Sequence, residues 1–192
     1  IPSDGTPTVA LGPNGRRVIA WSHFSASTAR PSGDIGVRIF NGTTWGPNIF
    51  LNLDVQVDQN PAAAFDNAGH IIVCWERNLT TDIPPDTAIY VASYLQGLNI
   101  QYAILDANNG TVQDTGMFGN GNDYDFSPRL SRGIEGGVLL VCESTSGNTI
   151  FGNVSDPASL ISARWNGTAW GTPAVVSSSL AGIHSWEAAN RN

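Results

Sequence analysis

The chain has 192 residues, enough to bury the core of a single domain, and 41% of them are hydrophobic while only 13% are charged. Its net charge is −7, and all nine basic residues are Arg. Because nucleic acids and anionic membranes bind proteins through clustered cations, this composition argues against both as partners. No apolar run is long enough for a membrane-spanning helix, and since the N-terminus carries no signal peptide, we expect a chain that is either intracellular or already processed.

A motif made of Pro, a short strand, a Gly turn and a strongly apolar strand occurs three times. Its copies begin at Pro7, Pro61 and Pro128, and the first two align without a gap over the whole motif. The last residues, 185–192, are similar to the opening of a fourth copy. An internal period with several strands in each repeat is typical of a repeat architecture.

Each copy predicts short strands separated by turns that contain Gly and Asn, the residues that best accept the positive φ of tight turns. In the first copy, strands are predicted at 8–11, 17–22, 35–40 and 48–52. In the second, they are predicted at 62–65, 70–76 and 99–105; this copy departs from the pattern, with an added segment at 88–94 before the third strand and the turn Asn108-Asn109-Gly110 after it. In the third, they are predicted at 129–131, 138–144, 160–165 and 174–178.

Four antiparallel strands in a repeated unit are typical of a β-propeller blade. We therefore predict an all-β fold in which residues 1–192 form one β-propeller segment. It has about three four-stranded antiparallel blades, at approximately 6–58, 59–126 and 127–184, and the first strand of a fourth at 185–192.

Since propeller rings contain four or more blades, the predicted ring is incomplete. Further blades then come from the same chain or from a second chain. We favour a piece of a longer propeller, because a polypeptide rarely stops one strand into a repeat. The alternative is that two copies associate and complete each other's ring.

The two cysteines lie in the apolar second strands of their repeats. In the gapless alignment, Cys74 and Cys142 are one position apart, and adjacent positions of a strand face opposite sides of a sheet. We therefore predict that they form no disulfide and serve as small buried hydrophobic residues.

Two turns carry a resemblance to a known family. Asn41-Gly42-Thr43-Thr44-Trp45 and Asn166-Gly167-Thr168-Ala169-Trp170 resemble degenerate Asp-box turns, whose pattern is Ser-x-Asp-x-Gly-x-Thr-Trp, although Phe40 and Trp165 take the place of the Asp. With the repeated motif, they are similar to the sialidase-like, Asp-box-like (BNR-type) β-propeller repeats of secreted bacterial proteins. The resemblance implies a secreted or cell-surface location and a structural role for the turn. Five Asn-x-Ser/Thr triplets are compatible with a glycoprotein, at Asn41, Asn78, Asn109, Asn153 and Asn166.

The sialidase chemistry that the resemblance implies requires three Arg, a Tyr–Glu pair and an Asp acid, and the chain lacks the family's Arg-Ile-Pro entry motif. We therefore predict no catalytic residue. Glu76 and Glu143 end equivalent strands, and with Arg77 they are candidate ligand-binding residues unless they only mark the rim of the sheet. Trp45 and Trp170 are further candidates because aromatic rings stack on sugars, the alternative being that they pin their hairpins.

The densest group of oxygen ligands lies at residues 120–125. Alternating Asn and Asp side chains can wrap Ca²⁺, so the sequence predicts a candidate calcium site, with a polar loop between blades as the alternative. Its candidate ligands are Asn120, Asn122, Asp123 and Asp125.

These observations favour a non-catalytic extracellular β-propeller that binds a glycan or a protein, or that serves as a scaffold. One alternative is a sialidase-type glycoside hydrolase with catalytic residues partly outside this chain. Another is a structural subunit of an extracellular assembly. No phosphate-binding loop, nucleophile elbow or dinucleotide fingerprint is present in the sequence.

Overall fold

A computed structural model describes residues 3–25, 32–79, 97–118, 124–133, 135–145, 154–155 and 157–180. The prediction of an all-β fold is confirmed for this part of the chain, where strands alternate with turns and one short 3-10 turn, Pro13–Gly15. The strands are β1 Ser3–Leu11, β2 Arg17–Ser25, β3 Ser32–Phe40, β4 Ile49–Leu51, β5 Val57–Phe65, β6 His70–Asn78, β7 Leu98–Asp106, β8 Val112–Phe118, β9 Tyr124–Arg132, β10 Val138–Thr145, β11 Ala158–Trp165 and β12 Ala174–Leu180. No helix among the described residues is both long and apolar enough to cross a membrane.

The strands pair into three antiparallel units of four strands each, taken in chain order. Unit 1 contains β1–β4, unit 2 contains β5–β8 and unit 3 contains β9–β12. One parallel residue pair, Gly33 with Val57, joins the sheets of units 1 and 2. The predicted segment 88–94 lies outside the described residues, and β8 is a strand that the sequence pattern does not predict.

Each first strand begins four residues before the motif Pro, and thus five residues before its predicted start. The reason is a bulge at the residue that precedes the Pro. Thr6, Asn60 and Ser127 all have positive φ values, of 42°, 50° and 54°, and the pairing register shifts beside each of them. A non-Gly residue in the left-handed region is uncommon, so its recurrence at one position of three units marks a constrained feature of the repeat.

Two apolar cores lie between the units. Because side chains alternate along a strand, Val73 and Trp75 of β6 face unit 1 whereas Ile72 and Cys74 face unit 3. The middle unit is thus buried on both faces, which explains why its second strand is a continuous apolar run. The first core includes Val18, Ile35, Phe65, Val73 and Trp75, and the second includes Ile72, Ile104, Leu140, Cys142 and Trp165.

Cys74 and Cys142 are buried free thiols, as predicted. Burial raises the pKa of both thiols. The geometric reason given by the sequence needs correction, because the two residues belong to the same core. The face of unit 2 that carries Cys74 packs on the opposite face of unit 3, so a shift of one position brings the two side chains into the same interface from its two sides.

The turn after the third strand of each unit is closed by an Asn or Asp side chain. Asn41 Oδ1 accepts the backbone amides of Thr43 (2.9 Å) and Thr44 (3.0 Å). Asn166 accepts the amides of the residues two and three positions ahead, both at 2.9 Å. Asp106 holds the equivalent position in unit 2 and accepts the amide two positions ahead at 2.7 Å. The acceptor therefore comes one residue after the place of the Asp in the Asp-box pattern.

A substitution of Gly12 tests the packing of unit 1 on unit 2. A Cβ at Gly12 would lie 2.7 Å from the ring of Phe65, which is only 1% exposed and has no room to move. We expect Gly12→Ala to lower the free energy of unfolding by about 1–3 kcal/mol. Urea unfolding followed by Trp fluorescence measures the difference. Gly5→Ala is the matched control, because its Cβ meets nothing within 4 Å. Equal unfolding midpoints for the two variants would contradict the packing.

Candidate functional site

A cavity of about 320 Å³ lies where the first strands of the three units converge. It is lined by the bulge residue of each unit and by residues that follow it. The same position of the repeat thus contributes to the cavity three times. The lining residues are Thr6, Pro7, Thr8, Asn60, Pro61, Ala62, Ser127 and Arg129, with Glu76 from the second strand of unit 2.

Glu76 joins unit 2 to unit 3 at the wall of this cavity. Its side chain is buried, and Oε2 accepts hydrogen bonds from the side-chain amides of Gln59 (2.9 Å) and Asn60 (2.7 Å). Its Oε1 accepts the backbone amide of Ser127, the bulge residue of the next unit, at 2.8 Å. Both carboxylate oxygens are therefore used as acceptors that hold two bulges in place.

Ser22 makes the corresponding joint between units 1 and 2. It occupies the position of Glu76 one repeat earlier, and its Oγ accepts the backbone amide of Asn60 at 3.2 Å. Its hydroxyl is also 2.6 Å from Thr6 Oγ1. In both interfaces, a side chain on the second strand of one unit accepts the bulge amide of the next unit. Glu143 holds the same position in unit 3 and is buried.

Arg77 lies beside Glu76 but serves a different contact. Its buried guanidinium donates two hydrogen bonds to Asp58, at 3.1 and 2.9 Å, and further bonds to Asp54 and Gln56. Asp54 and Gln56 belong to the link between β4 and β5, so Arg77 fastens the connection of units 1 and 2 to the second strand of unit 2. The guanidinium is thereby committed to groups of its own chain.

Two buried carboxyl groups have raised pKa values: that of Asp58, the partner of Arg77, and that of Asp34. Burial raises the pKa of Asp58 to about 7, even though the neighbouring Arg77 acts in the opposite direction. Burial also raises the pKa of Asp34, with a smaller contribution from the negative charge of Asp54.

The two candidate Trp residues occupy equivalent places but differ in exposure. Trp170 packs against the rings of Tyr102 and Phe118 in unit 2, with centroid distances of 5.9 and 6.0 Å. Trp45 is 37% exposed and packs on Phe40 of its own unit at 5.3 Å. Trp170 is therefore part of an interface between units, whereas Trp45 lies on the surface of unit 1.

The structure brings together only part of the predicted sites. Asn120, Asn122 and Asp123 lie outside the described residues, and Asp125 is buried in β9. In the described ranges, no group of three or more His, Cys, Asp or Glu side chains is arranged to hold a metal ion. Among the predicted ligand-binding residues, Glu76 alone lines the cavity between the first strands.

Comparisons with known proteins identify a fold and no family. No protein-family model matches the chain, and neither does any curated protein. The chain is similar to the structure of a Hadza microbial sialidase, with a TM-score of 0.59 and 14% identity over 90% of this chain and 38% of that one. It is also similar to an ulvan lyase described as a new family of polysaccharide lyase, with a TM-score of 0.53 and 14% identity over 86% of this chain and 42% of that one.

A protein of unknown function from Dyadobacter fermentans is similar too, with a TM-score of 0.53 and 14% identity over 88% of this chain and 53% of that one. The chain thus spans between 38% and 53% of the lengths of these three proteins. At this level of identity the likeness defines a class of fold, a β-propeller-like arrangement found in glycan-processing proteins. The narrower Asp-box assignment stays a prediction.

The raised pKa of Asp58 predicts that the free energy of unfolding depends on pH. The folded state favours protonated Asp58. The stability that this protonation contributes is therefore fully present below the unfolded pKa of 3.8, and it is lost as the pH rises through the folded pKa of about 7. We expect the free energy of unfolding of the wild type, relative to that of Asp58→Asn, to fall by a few kcal/mol between pH 5 and pH 8. One pKa unit corresponds to about 1.4 kcal/mol.

Urea unfolding of both proteins at four pH values in this range measures the difference. The comparison cancels the contribution of Asp34, which both variants retain. Parallel pH profiles for the two proteins would contradict the assigned acidity of Asp58.

Proposed function

We propose that the chain is a segment of an extracellular β-propeller that binds glycans at the cavity between its first strands. In this proposal the three four-stranded units are blades, and further blades from the same or a second chain complete the ring. The observation that carries the proposal is the convergence of three equivalent bulges on one polar cavity. The β-propeller-like fold, shared with glycan-processing proteins, supports it.

The chemistry of the cavity suits a sugar. Hydroxyl groups of Thr8 and Ser127 can exchange hydrogen bonds with sugar hydroxyls, as can the side-chain carbonyl of Asn60, whose Nδ2 donates to Glu76. Proline rings offer apolar surface to the face of a sugar ring. The volume of about 320 Å³ lies at the lower end of the range for small-molecule sites.

The cation at the mouth of the cavity favours an acidic glycan. Arg129 is exposed there and donates from Nη1 to the Pro128 carbonyl oxygen at 2.9 Å, and the charge and several N–H donors of a guanidinium match a carboxylate or sulfate group. One similar structure, an ulvan lyase, is described as bound to -[GlcA(1-4)Rha3S]-, a sugar unit with both kinds of acidic group. We therefore expect acidic glycans to bind more tightly than their neutral counterparts.

The hydrogen bonds of Glu76 support binding without catalysis. A general acid or base must exchange a proton with the substrate, but both oxygens of this carboxylate already accept bonds from donors of the chain. Its role as a joint between units accounts for its burial. A sialidase-type hydrolase would need catalytic residues beyond those that line the cavity. The binding experiment below detects that alternative as cleavage of the glycan.

A glycan array of matched acidic and neutral oligosaccharides, followed by calorimetry with the best ligand, tests the proposal. We expect Arg129→Ala to weaken binding of an acidic glycan about tenfold or more, since bonds to charged groups contribute about 1.5–3 kcal/mol. Arg164→Ala is the matched control, because Arg164 is an exposed Arg of the same unit that pairs with Glu135.

Absence of glycan binding, or equal affinities for the two variants, would contradict the proposed site. Cleavage of the bound oligosaccharide would favour the glycoside hydrolase alternative. Retained binding with no preference for acidic glycans would remove the role assigned to Arg129.

A further inference from the structure

A groove of about 400 Å³ lies on the face of unit 1 that points away from unit 2. Ile19 and Trp21 line it with half-buried apolar side chains, because they alternate along β2 with residues that face unit 2. Arg38 and Asn48 line it with exposed polar side chains, and Asp4 does so with a carboxylate. The groove therefore combines an aromatic ring with a cation and with hydrogen-bonding groups.

The Trp21 indole lies directly on the backbone of β3. Trp21 pairs with Gly36, and a Cβ at Gly36 would come within 2.3 Å of the indole ring. Units 2 and 3 have Gln101 and Ile161 at the same place, so the indole of unit 1 fills space that a side chain takes in the other units. The Phe50 ring meets the indole edge-on, with a centroid distance of 6.4 Å. The indole is thus held in place although it is only half-buried, which suits a surface on which a ligand stacks.

Arg38 distinguishes this face from the surfaces by which the units pack on one another. The residues in its place in units 2 and 3 are Ala103 and Ala163, which are buried against the preceding unit. A unit packed tightly here would take the guanidinium of Arg38 out of water, which is unfavourable unless an anion pairs with it. A charged ligand therefore suits this position better than an apolar contact does.

The Arg38 guanidinium is oriented but not fully used. Its Nε donates to the Gly46 carbonyl oxygen at 2.7 Å, and among the described residues no acceptor is bound to Nη1 or Nη2. These nitrogens can donate to a carboxylate or a sulfate group of a ligand. Asp4 Oδ1 lies 2.7 Å from His23 Nδ1, while Oδ2 has no partner in the same part of the chain and can accept a sugar hydroxyl. The groove can thus bind both the acidic group and the hydroxyls of a sugar.

We propose that the groove is a second glycan-binding subsite, in which the Trp21 indole stacks on a sugar ring and the Arg38 guanidinium pairs with the acidic group of that sugar. Pro7 lines both the groove and the cavity between the first strands, so the two sites adjoin. A glycan chain bound in the cavity can therefore continue across Pro7 onto unit 1. The class of ligand is then an acidic polysaccharide rather than a single terminal sugar. This inference rests on the proposed function for its class of ligand, but different residues test the groove and the cavity.

A ring-closing unit of the proposed propeller is compatible with this subsite. Val9 and Leu11, which are 63% and 72% exposed on the same face, lie outside the groove and offer apolar surface to such a unit. Because an arginine is much larger than the alanine in its place in the other units, Arg38 keeps that unit from closing on the groove. The subsite is then a cleft between two units that is open to a glycan.

Calorimetry of the whole chain with octasaccharides and disaccharides of glucuronic acid and of sulfated galactose tests the proposal, and the two series distinguish a carboxylate from a sulfate. We expect the preferred octasaccharide to bind at least about tenfold more tightly than its disaccharide, since it can occupy both subsites. Trp21→Ala and Arg38→Ala should each weaken octasaccharide binding about tenfold or more. Trp21→Phe, which keeps an aromatic ring, should retain most of the affinity.

Gly36→Ala tests the position of the indole without removing it. The added Cβ displaces Trp21, so octasaccharide binding should weaken, although less than in Trp21→Ala. Gly171→Ala is the matched control, because its Cβ meets only the Arg164 carbonyl oxygen, at an ordinary 3.5 Å. Arg164→Ala, which changes an exposed Arg of unit 3, removes the same charge as Arg38→Ala. Both controls should bind like the wild type.

Near-ultraviolet circular dichroism confirms the folding of each variant, and Arg38→Ala, at an exposed position, carries the test if Trp21→Ala does not fold. Octasaccharide affinities equal to that of the wild type in Trp21→Ala and Arg38→Ala would overturn the proposal. If Arg129→Ala still weakens binding in that case, the proposed site in the cavity stands.

Two further outcomes would also overturn the subsite. Acrylamide quenching of Trp21 is measured as the difference in fluorescence between the wild type and Trp21→Phe. A Trp21 shielded from acrylamide in the protein without glycan would show that another protein unit fills the groove. Absence of binding of every acidic octasaccharide would overturn the groove and the cavity together.

Discussion

The architecture depends on one hydrogen bond that is repeated from unit to unit. The residue before the motif Pro adopts a left-handed conformation, and its amide is accepted by a side chain on the second strand of the preceding unit. Bulk apolar packing alone leaves the relative position of two sheets loosely determined, because one apolar face slides easily over another. A directional bond to a buried acceptor fixes the register of the units, and a buried amide without a partner would cost about 1–3 kcal/mol.

The cavity between the first strands follows from this constraint, whereas the link between β4 and β5 has an anchor of its own. Because the bulges of three units are held at the same level, their polar side chains meet around one space instead of being distributed along the sheets. Arg77, next to Glu76 on β6, anchors the connection between units 1 and 2 through Asp58 and the link residues. The buried, weakly acidic Asp58 makes this anchor sensitive to pH, whereas the bulge bond between units 1 and 2 joins Ser22 to a backbone amide and is not.

Much of the fold could be predicted from the sequence, because the hydrophobic period and the turn residues act locally. Apolar runs predict the second strands, and Asn-Gly turns predict the hairpins that follow the third strands. The repeat predicts how the strands group into units. The bulges at Asn60 and Ser127 could not be predicted, because each is held by a tertiary contact with the preceding unit. The cavity was missed for the same reason, since Thr6, Asn60 and Ser127 are far apart in sequence and meet only through the packing of units. Glu76 was found through its place at the end of a strand, but its role as a joint depends on donors that no local pattern reveals.

Hydrogen exchange measured by NMR tests the repeated bond most directly. The account predicts that the Asn60 and Ser127 amides exchange slowly in the wild type. In Glu76→Ala, exchange of the Ser127 amide should become at least about tenfold faster and should rise more than that of the Asn60 amide, which keeps its bond to Ser22 although the Asn60 side chain loses Glu76. Ser22→Ala should raise exchange of the Asn60 amide more than that of the Ser127 amide. Exchange rates that do not change, or that rise equally at both amides in both variants, would contradict the claim that these two side chains hold the units together.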